Sequence, residues 1–547
     1  MIQRSHPSVV RVCGTVVWLT LLAAAGCGPG PALRGRLGPD VVRPRPGVVL
    51  LLADGIGADV IEDGCRSGRL PNIRRRFVAA GARTESALGC IPPITYAAIC
   101  SLLTGSDPAR HRIVGNRWFD PAELSFRNYV TAAHYRDVNL DTPTPLIYER
   151  LYPALTVSIQ AAHVRGVTYD FTNWAPSGVL WLLGDYTAVD KLSATTFERV
   201  AERANSDRRW PTLVTCYFPG ADSVGHEHGV SAPQYRTAVE HIDYQVGRIC
   251  DWLEAQGLLS STYLVFVTDH GMFDNDPRKV VDLTQLVRDG WGRDATDAEI
   301  QDGSRALRRR AFDPHDTVVA YQNGRGAFLY FKGPGGWGDR PTPAAVGAVL
   351  TAPPPAQQLW NLPAVDVVTY LESDTVAVVR SAAGTARIRV EAGPRGLRYA
   401  YVPDSADVFG YTADPALAAF VAGGPHSSRE WLAATAGHEY PDVVPHLVGL
   451  LHEPRAGQVV VFTQPGYSFV PERGGHGGLR RAERRVPLLL AGPGIRGGTT
   501  LPAARSTDLV PTLLELLGRE VPADEWLDGE SLAPQLRSAA ESVSRSE

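Results

Sequence analysis

Methionine is almost missing. The 547 residues hold 2, which removes the Met-rich adaptable surface that promiscuous binding proteins use. Dense Lys/Arg blocks are missing too. With 54 basic against 58 acidic residues the net charge is −4, whereas an obligate nucleic-acid polymer partner needs a basic stripe to neutralise its phosphates. The apolar run from Thr15 to Ala25 is too short to span a bilayer comfortably, since a spanning helix takes about 20 residues. There are 7 cysteines, and no C-x-x-C pair marks a cysteine-ligated metal site. What is present is ordinary for a globular chain: 44% hydrophobic and 20% charged residues, with length enough for a large core and an inserted subdomain.

The N-terminus reads as an address. Arg4 and Arg11 precede the short apolar run, which ends Leu22-Ala23-Ala24-Ala25-Gly26-Cys27. A charged flank, a short apolar stretch and small residues fit a signal peptide over residues 1–27. The end resembles a bacterial lipobox, although Leu is missing from its usual place three residues before the cysteine. The expected localisation is therefore export to the cell envelope or periplasm, with a lipid at Cys27 as the membrane contact; ordinary cleavage without lipid is the alternative. Export would permit a disulfide, but Cys65, Cys90, Cys100, Cys216 and Cys250 are odd in number. Cys100 and Cys216 sit in apolar runs and read as buried thiols.

Residues 28–46 are rich in Pro, Gly and Arg and read as a tether. A buried strand is expected at Val48-Val49-Leu50-Leu51-Leu52. Similar runs recur at Thr212 to Tyr217, Tyr263 to Val267, Val459 to Phe462 and Val486 to Leu490. Helical periodicity lies between several of them, as in Tyr235 to Ala255 and in Thr507 to Leu517 before Gly518. Buried strands alternating with amphipathic helices predict an α/β fold, a largely parallel central sheet flanked by helices. The middle differs: Thr375 to Arg380, Thr385 to Val390 and Leu397 to Val402 are short strand-like runs divided by Gly-containing turns, an antiparallel meander. The expected division is a catalytic α/β domain over 47–273 and 438–525, an inserted β-containing subdomain over 274–437, and a polar tail over 526–547.

Six residues of metal-ligand type follow strand-like runs. They are Asp54, then Asp222 and His226, then Asp269 and His270, and His476 in Gly474-Gly475-His476-Gly477-Gly478. In open α/β sheets the site lies at the carboxyl ends of the strands, so distant segments can converge there. Each piece alone is weak: Asp-Gly is first of all a turn, and a His among glycines is often only a loop residue. Together, Asp and His without Cys suit two divalent ions, zinc or manganese. Thr95, in Ile91-Pro92-Pro93-Ile94-Thr95-Tyr96-Ala97-Ala98, falls at or near a helix N-terminus, where free N–H groups favour a phosphate oxygen. It reads as an N-cap, a nucleophile, or both. His228, His241, Asp59 and Glu62 read as surface or helix charges; Tyr96, Trp118 and Phe119 as stacking or packing groups.

The set Asp54, Thr95, Asp222, His226, Asp269, His270 and His476 resembles the alkaline phosphatase superfamily, in particular its type I phosphodiesterase/nucleotide pyrophosphatase branch, over roughly Val48 to Gly518. The resemblance implies that Asp54, Thr95, Asp269 and His270 hold one metal ion and Asp222, His226 and His476 the other, with zinc favoured over manganese. It implies Thr95 as nucleophile, passing through a phospho-threonine intermediate. Asn116 matches the branch's Asn that donates to a non-bridging phosphate oxygen. Monoesterases of the superfamily with a Thr nucleophile carry Lys-x-Arg followed by Gly. The comparable stretch here is His163-Val164-Arg165-Gly166, so small phosphodiester or pyrophosphate substrates are expected ahead of monoesters. A phosphomonoesterase is the alternative, and a non-catalytic surface lipoprotein keeping the fold is another. Cys90-Ile91-Pro92-Pro93-Ile94 begins like the sulfatase C-x-P-x-R signature, but Ile94 stands where Arg is required.

Overall fold

The computed structural model describes residues 45–172, 177–180, 183–322, 324–394, 396–521 and 526–537. The strand Val48–Ala53 pairs in parallel with Leu213–Phe218 on one side and Tyr263–Thr268 on the other. These three are the middle of an eight-stranded sheet. Beyond Leu213–Phe218 come Thr156–Ile159 and Tyr169–Phe171; beyond Tyr263–Thr268 come Leu488–Ala491, Ala82–Thr84 and Thr499–Leu501. Leu488–Ala491 runs antiparallel to both neighbours. Successive side chains of a strand point to opposite faces. Val49, Leu51 and Ala53 therefore enter a core with Ile61, Phe197, Ile242 and Val246 from three helices, Ala58–Ser67, Tyr186–Asp207 and Pro233–Ala255. Val48, Leu50 and Leu52 enter a second core with Ile99, Leu103, Val510 and Leu513 from the helices Thr95–Thr104 and Leu509–Leu516. Burial on both faces is why this strand is written as an unbroken apolar run.

A second sheet of nine strands is built from strands between Ala295 and Ser427 together with Val459–Thr463. The expected meander is found as Val376–Ser381, Gly384–Gly393 and Gly396–Pro403, paired antiparallel in chain order. Val459–Thr463 departs from expectation. Its apolar run predicts a strand among those alternating with helices, yet it pairs antiparallel with Gly326–Phe331 and Val365–Ser373 in this second sheet. An apolar run buried on both faces looks the same in either sheet, and only its partners distinguish the two. Residues 526–547 also differ from a polar tail at their start: Leu532, Ala533 and Leu536 are buried, and Leu532 and Leu536 pack into the core that holds Leu513.

The localisation read from the N-terminus, an exported chain lipid-anchored at Cys27, is corrected. A lipid anchor needs an accessible thiol, and the five described cysteines, Cys65, Cys90, Cys100, Cys216 and Cys250, are all buried and unpaired. Among the described residues no helix is long and apolar enough to cross a membrane. The signal peptide, Cys27 and nearly all of the tether lie outside the described residues.

Candidate functional site

Parallel register assembles the centre. Ala53 lies level with Phe218 and with Thr268, so the residues that follow each strand emerge side by side. Asp54 follows the first strand and is 2% exposed. Asp269 and His270 follow the third and are fully buried. After the second strand the helix Gly220–His228 carries Asp222 and His226 one turn apart, on one face. Gly55 is obligatory: its φ is +72°, and a Cβ there would meet the Asp222 Cα and Cβ at 2.7 Å. His476 arrives from far along the chain because Gly474 and Gly475 pair antiparallel with Asp274 and Phe273, directly after the Asp269–His270 turn. Thr95 is the first residue of its helix, not its cap. Ile94 occupies the cap position with extended φ −133° and no capping side chain, so the Thr95 hydroxyl is free for other work.

Three histidines aim the same nitrogen inward. Nδ1 of His270 faces the Gly271 carbonyl at 3.2 Å, Nδ1 of His476 the Pro93 carbonyl at 3.0 Å, and Nδ1 of His226 the Gly474 carbonyl at 2.8 Å. A carbonyl only accepts, so each Nδ1 carries a proton, and in a neutral ring Nε2 then presents its lone pair. Despite burial, the carboxylates of Asp222 and Glu472 push His226 well above its ordinary range, toward a ring protonated on both nitrogens. The three Nε2 atoms face oxygens. His270 Nε2 lies 3.3 Å from Asp269 Oδ2, 3.5 Å from Asp54 Oδ1 and 3.2 Å from Thr95 Oγ1. His226 Nε2 lies 3.4 Å and His476 Nε2 3.8 Å from Asp222 Oδ1. A lone pair opposite a carboxylate oxygen is repulsive unless a proton or a cation lies between. Asp54 Oδ1, Asp222 Oδ1, Asp269 Oδ2 and His476 Nε2 are buried without a hydrogen-bond partner, which costs free energy for every such group.

The electrostatics agree. Burial pushes Asp54 well above the carboxylate range, and the charges of Asp269 and Asp222 add to this. Burial also raises Asp269. For Asp222 burial opposes ionisation, but the charge and hydrogen bond of His226 outweigh it and hold the carboxyl low. Burial, with neighbouring His270, pushes His476 well below its ordinary range. Three carboxylates in one dry pocket call for positive charge. Two groups of potential ligands meet the distance requirement for a shared ion: Asp54, Asp269 and His270, and Asp222, His270 and His476. The two clusters share His270 and are adjacent candidate sites for metal ions. His226 stands beside the second group rather than within it.

Asn116 is buried, and its Oδ1 accepts from the Tyr96 N–H at 3.0 Å. His163 is buried with Nε2 on the Tyr96 carbonyl at 3.1 Å, and burial lowers it to about 4, so it is neutral. Arg165 donates to the carbonyls of Asn139 at 3.0 Å and Thr144 at 2.6 Å and to Glu149 at 3.0 Å. Its charge is spent within its own loop. Trp118 and Phe119 are fully buried packing groups; Asp59 and Glu62 pair with Arg485. Two contributors escaped sequence reading. Tyr217 donates its hydroxyl to Asp54 Oδ2, and Glu472 Oε2 lies 2.8 Å from His226 Nδ1. Tyr217 sits in an apolar strand, where a tyrosine signals packing; Glu472 sits in a loop without periodicity.

The family model for type I phosphodiesterase / nucleotide pyrophosphatase matches residues 48–328, just over half of the chain. An uncharacterised pyrophosphatase/phosphodiesterase of Schizosaccharomyces pombe is 22% identical over 254 residues, 45% of this chain and 50% of that protein. Ectonucleotide pyrophosphatase/phosphodiesterase family member 1 of Rattus norvegicus is 26% identical over 249 residues, 45% of this chain and 26% of that protein. The chain thus spans half or less of the length of these curated relatives. The solved structure of murine ectonucleotide pyrophosphatase/phosphodiesterase 5 shares the fold, with a TM-score of 0.53 at 15% identity, over 90% of this chain and 99% of that one. On the match to its model, the chain belongs to the type I phosphodiesterase / nucleotide pyrophosphatase family.

Proposed function

We propose that this chain hydrolyses small phosphoesters with Thr95 as nucleophile, and that it favours phosphodiester and pyrophosphate bonds over monoesters. The observation that carries the reading is the position of Thr95 Oγ1. It lies at the open first turn of a helix and 3.2 Å from His270 Nε2, beside buried carboxylates that lack partners. Asp54, Thr95, Asp269 and His270 would hold one divalent ion and Asp222, His226 and His476 the other; an Asp/His set without Cys favours zinc, with manganese next. Such ions, when bound, supply the charge that makes a hydroxyl nucleophilic at neutral pH and that neutralises a departing oxygen.

The chain's own groups do the rest. Thr95 Oγ bonds to phosphorus as the bond to the leaving oxygen breaks. Water then cleaves the phospho-threonine ester and restores the hydroxyl. The Tyr96 N–H fixes the Asn116 carbonyl, which leaves the amide NH₂ as a donor for a non-bridging oxygen, where charge collects in the transition state. A monoester dianion needs one more positive group than a diester. His163 is neutral and Arg165 is engaged elsewhere, which supports the diester preference. In this reading residues 47–273 and 438–525 supply the ligands and 274–437 wall the substrate side. The test compares kcat/KM for bis-p-nitrophenyl phosphate and p-nitrophenyl phosphate on metal-loaded protein. The diester is expected to win, and a tenfold monoester preference at pH 8 would overturn the specificity.

A further inference from the structure

The three inward-facing histidines differ in one respect. His270 and His476 each give their Nδ1 proton to a neutral carbonyl. His226 alone has a carboxylate there as well: its Nδ1 lies 2.8 Å from Glu472 Oε2 and 2.8 Å from the Gly474 carbonyl. We propose that Glu472 is a positioning residue that fixes the tautomer and aim of His226 and raises its basicity toward the second metal ion. The inference rests on the reading of His226 as a metal ligand.

The surroundings hold Glu472 in place. Ser468 Oγ lies 3.1 Å from its other oxygen, Oε1, and the carboxylate is 12% exposed. Space for it is kept by Gly475, where a Cβ would stand 2.3 Å from Glu472 Oε1 and 2.4 Å from Asn275 Nδ2. Asn275 is itself buried, and both of its amide atoms lack partners, so the niche is polar and closed. A charged acceptor on the far nitrogen makes an imidazole a better donor to a cation than a carbonyl does. It also keeps the ring from turning its lone pair away from Asp222. His226 stands slightly outside the tightest ligand group, so it is the histidine that most needs such a restraint.

Zinc affinity measured by competition with a chelating dye tests this, with the visible spectrum of the cobalt-substituted protein as a second readout. Loss of an outer-shell partner typically weakens metal binding 10–100-fold. Glu472→Ala is expected to lose about that much for one of two ions, to leave the other unchanged, and to shift the cobalt bands. Glu472→Gln keeps an acceptor oxygen without the charge and should fall between. Wild-type affinity for both ions and an unchanged cobalt spectrum in Glu472→Ala would overturn the role. Should the alanine variant melt lower when metal-free, Glu472→Gln decides instead, and wild-type affinity there overturns the role equally. A wild-type chain that takes up neither zinc nor cobalt overturns the di-metal reading itself, which separates the two failures.

Discussion

Replacing Glu483 by alanine is expected to destabilise the protein by about 3–5 kcal/mol, the cost of breaking a buried ion pair by removing one partner. Glu483 and Arg325 are both fully buried. Glu483 Oε1 accepts from Arg325 Nε at 2.8 Å and from the Gly478 N–H at 2.8 Å. Arg325 also donates from Nη2 to the Thr463 carbonyl at 3.0 Å and from its backbone N–H to the His476 carbonyl at 2.9 Å. Alanine would strand a guanidinium in the interior and free an amide two residues from His476. Against a total stability of roughly 5–15 kcal/mol, that is about a fifth or more. The double variant Arg325→Met, Glu483→Leu removes both charges and should recover at least half of the loss, because well-packed apolar residues often replace a buried pair without penalty. Urea unfolding of the wild type, Arg325→Met alone, Glu483→Leu alone and the double variant completes the cycle, with Glu483→Ala measured beside it. A loss below about 1 kcal/mol in Glu483→Ala, or a double variant no better than the single, would refute the clamp, since surface changes alone fall within about 0.5 kcal/mol.

The remaining predictions concern the site and acid. Thr95→Ala should keep fold and metal yet lose turnover by about a thousandfold or more, with Thr95→Ser retaining part of it; near-wild-type turnover in the alanine variant would mean that water attacks directly. Exhaustive chelation should abolish activity and lower the melting temperature, because an ion that binds only the folded state stabilises it, and zinc should restore both; full activity in metal-free protein would sink the di-metal reading. Burial lowers His111 to about 3, with neighbouring His163 adding to the shift, and lowers His163 to about 4, against an ordinary value of 6.5. As pH falls through the ordinary value the unfolded chain takes up protons that the folded one refuses, so stability is lost toward acid by up to about 1.4 kcal/mol per pH unit for each histidine. His111→Gln should flatten the slope between pH 6 and 4.5 by about one proton, read by urea midpoints; an unchanged slope would show that His111 titrates normally.

The apolar runs at Val48–Ala53, Leu213–Phe218 and Tyr263–Thr268 were legible as buried strands because burial on both faces leaves a mark in composition. Asp54, Asp222 and Asp269 were legible as candidates because each follows such a run, and sites form at those strand ends. The residue types also set the chemistry: a hydroxyl, carboxylates and imidazoles, without thiols. Val459–Thr463 was misassigned because its pattern holds in either sheet, and only its pairing with Gly326–Phe331 and Val365–Ser373 decides which.

Which nitrogen each histidine offers was beyond any reading of the chain. It depends on whether a carbonyl stands at Nδ1, and the carbonyls of Pro93 and Gly474 reach His476 and His226 across 383 and 248 residues. Glu472 and Tyr217 carry no local signal for the same reason. Sequence by itself determined the apolar strands and the residue types that follow them, since those follow from local burial and functional-group chemistry. The tertiary structure alone decided where each lone pair points and which charges are left without partners, because those depend on groups brought together only by the fold.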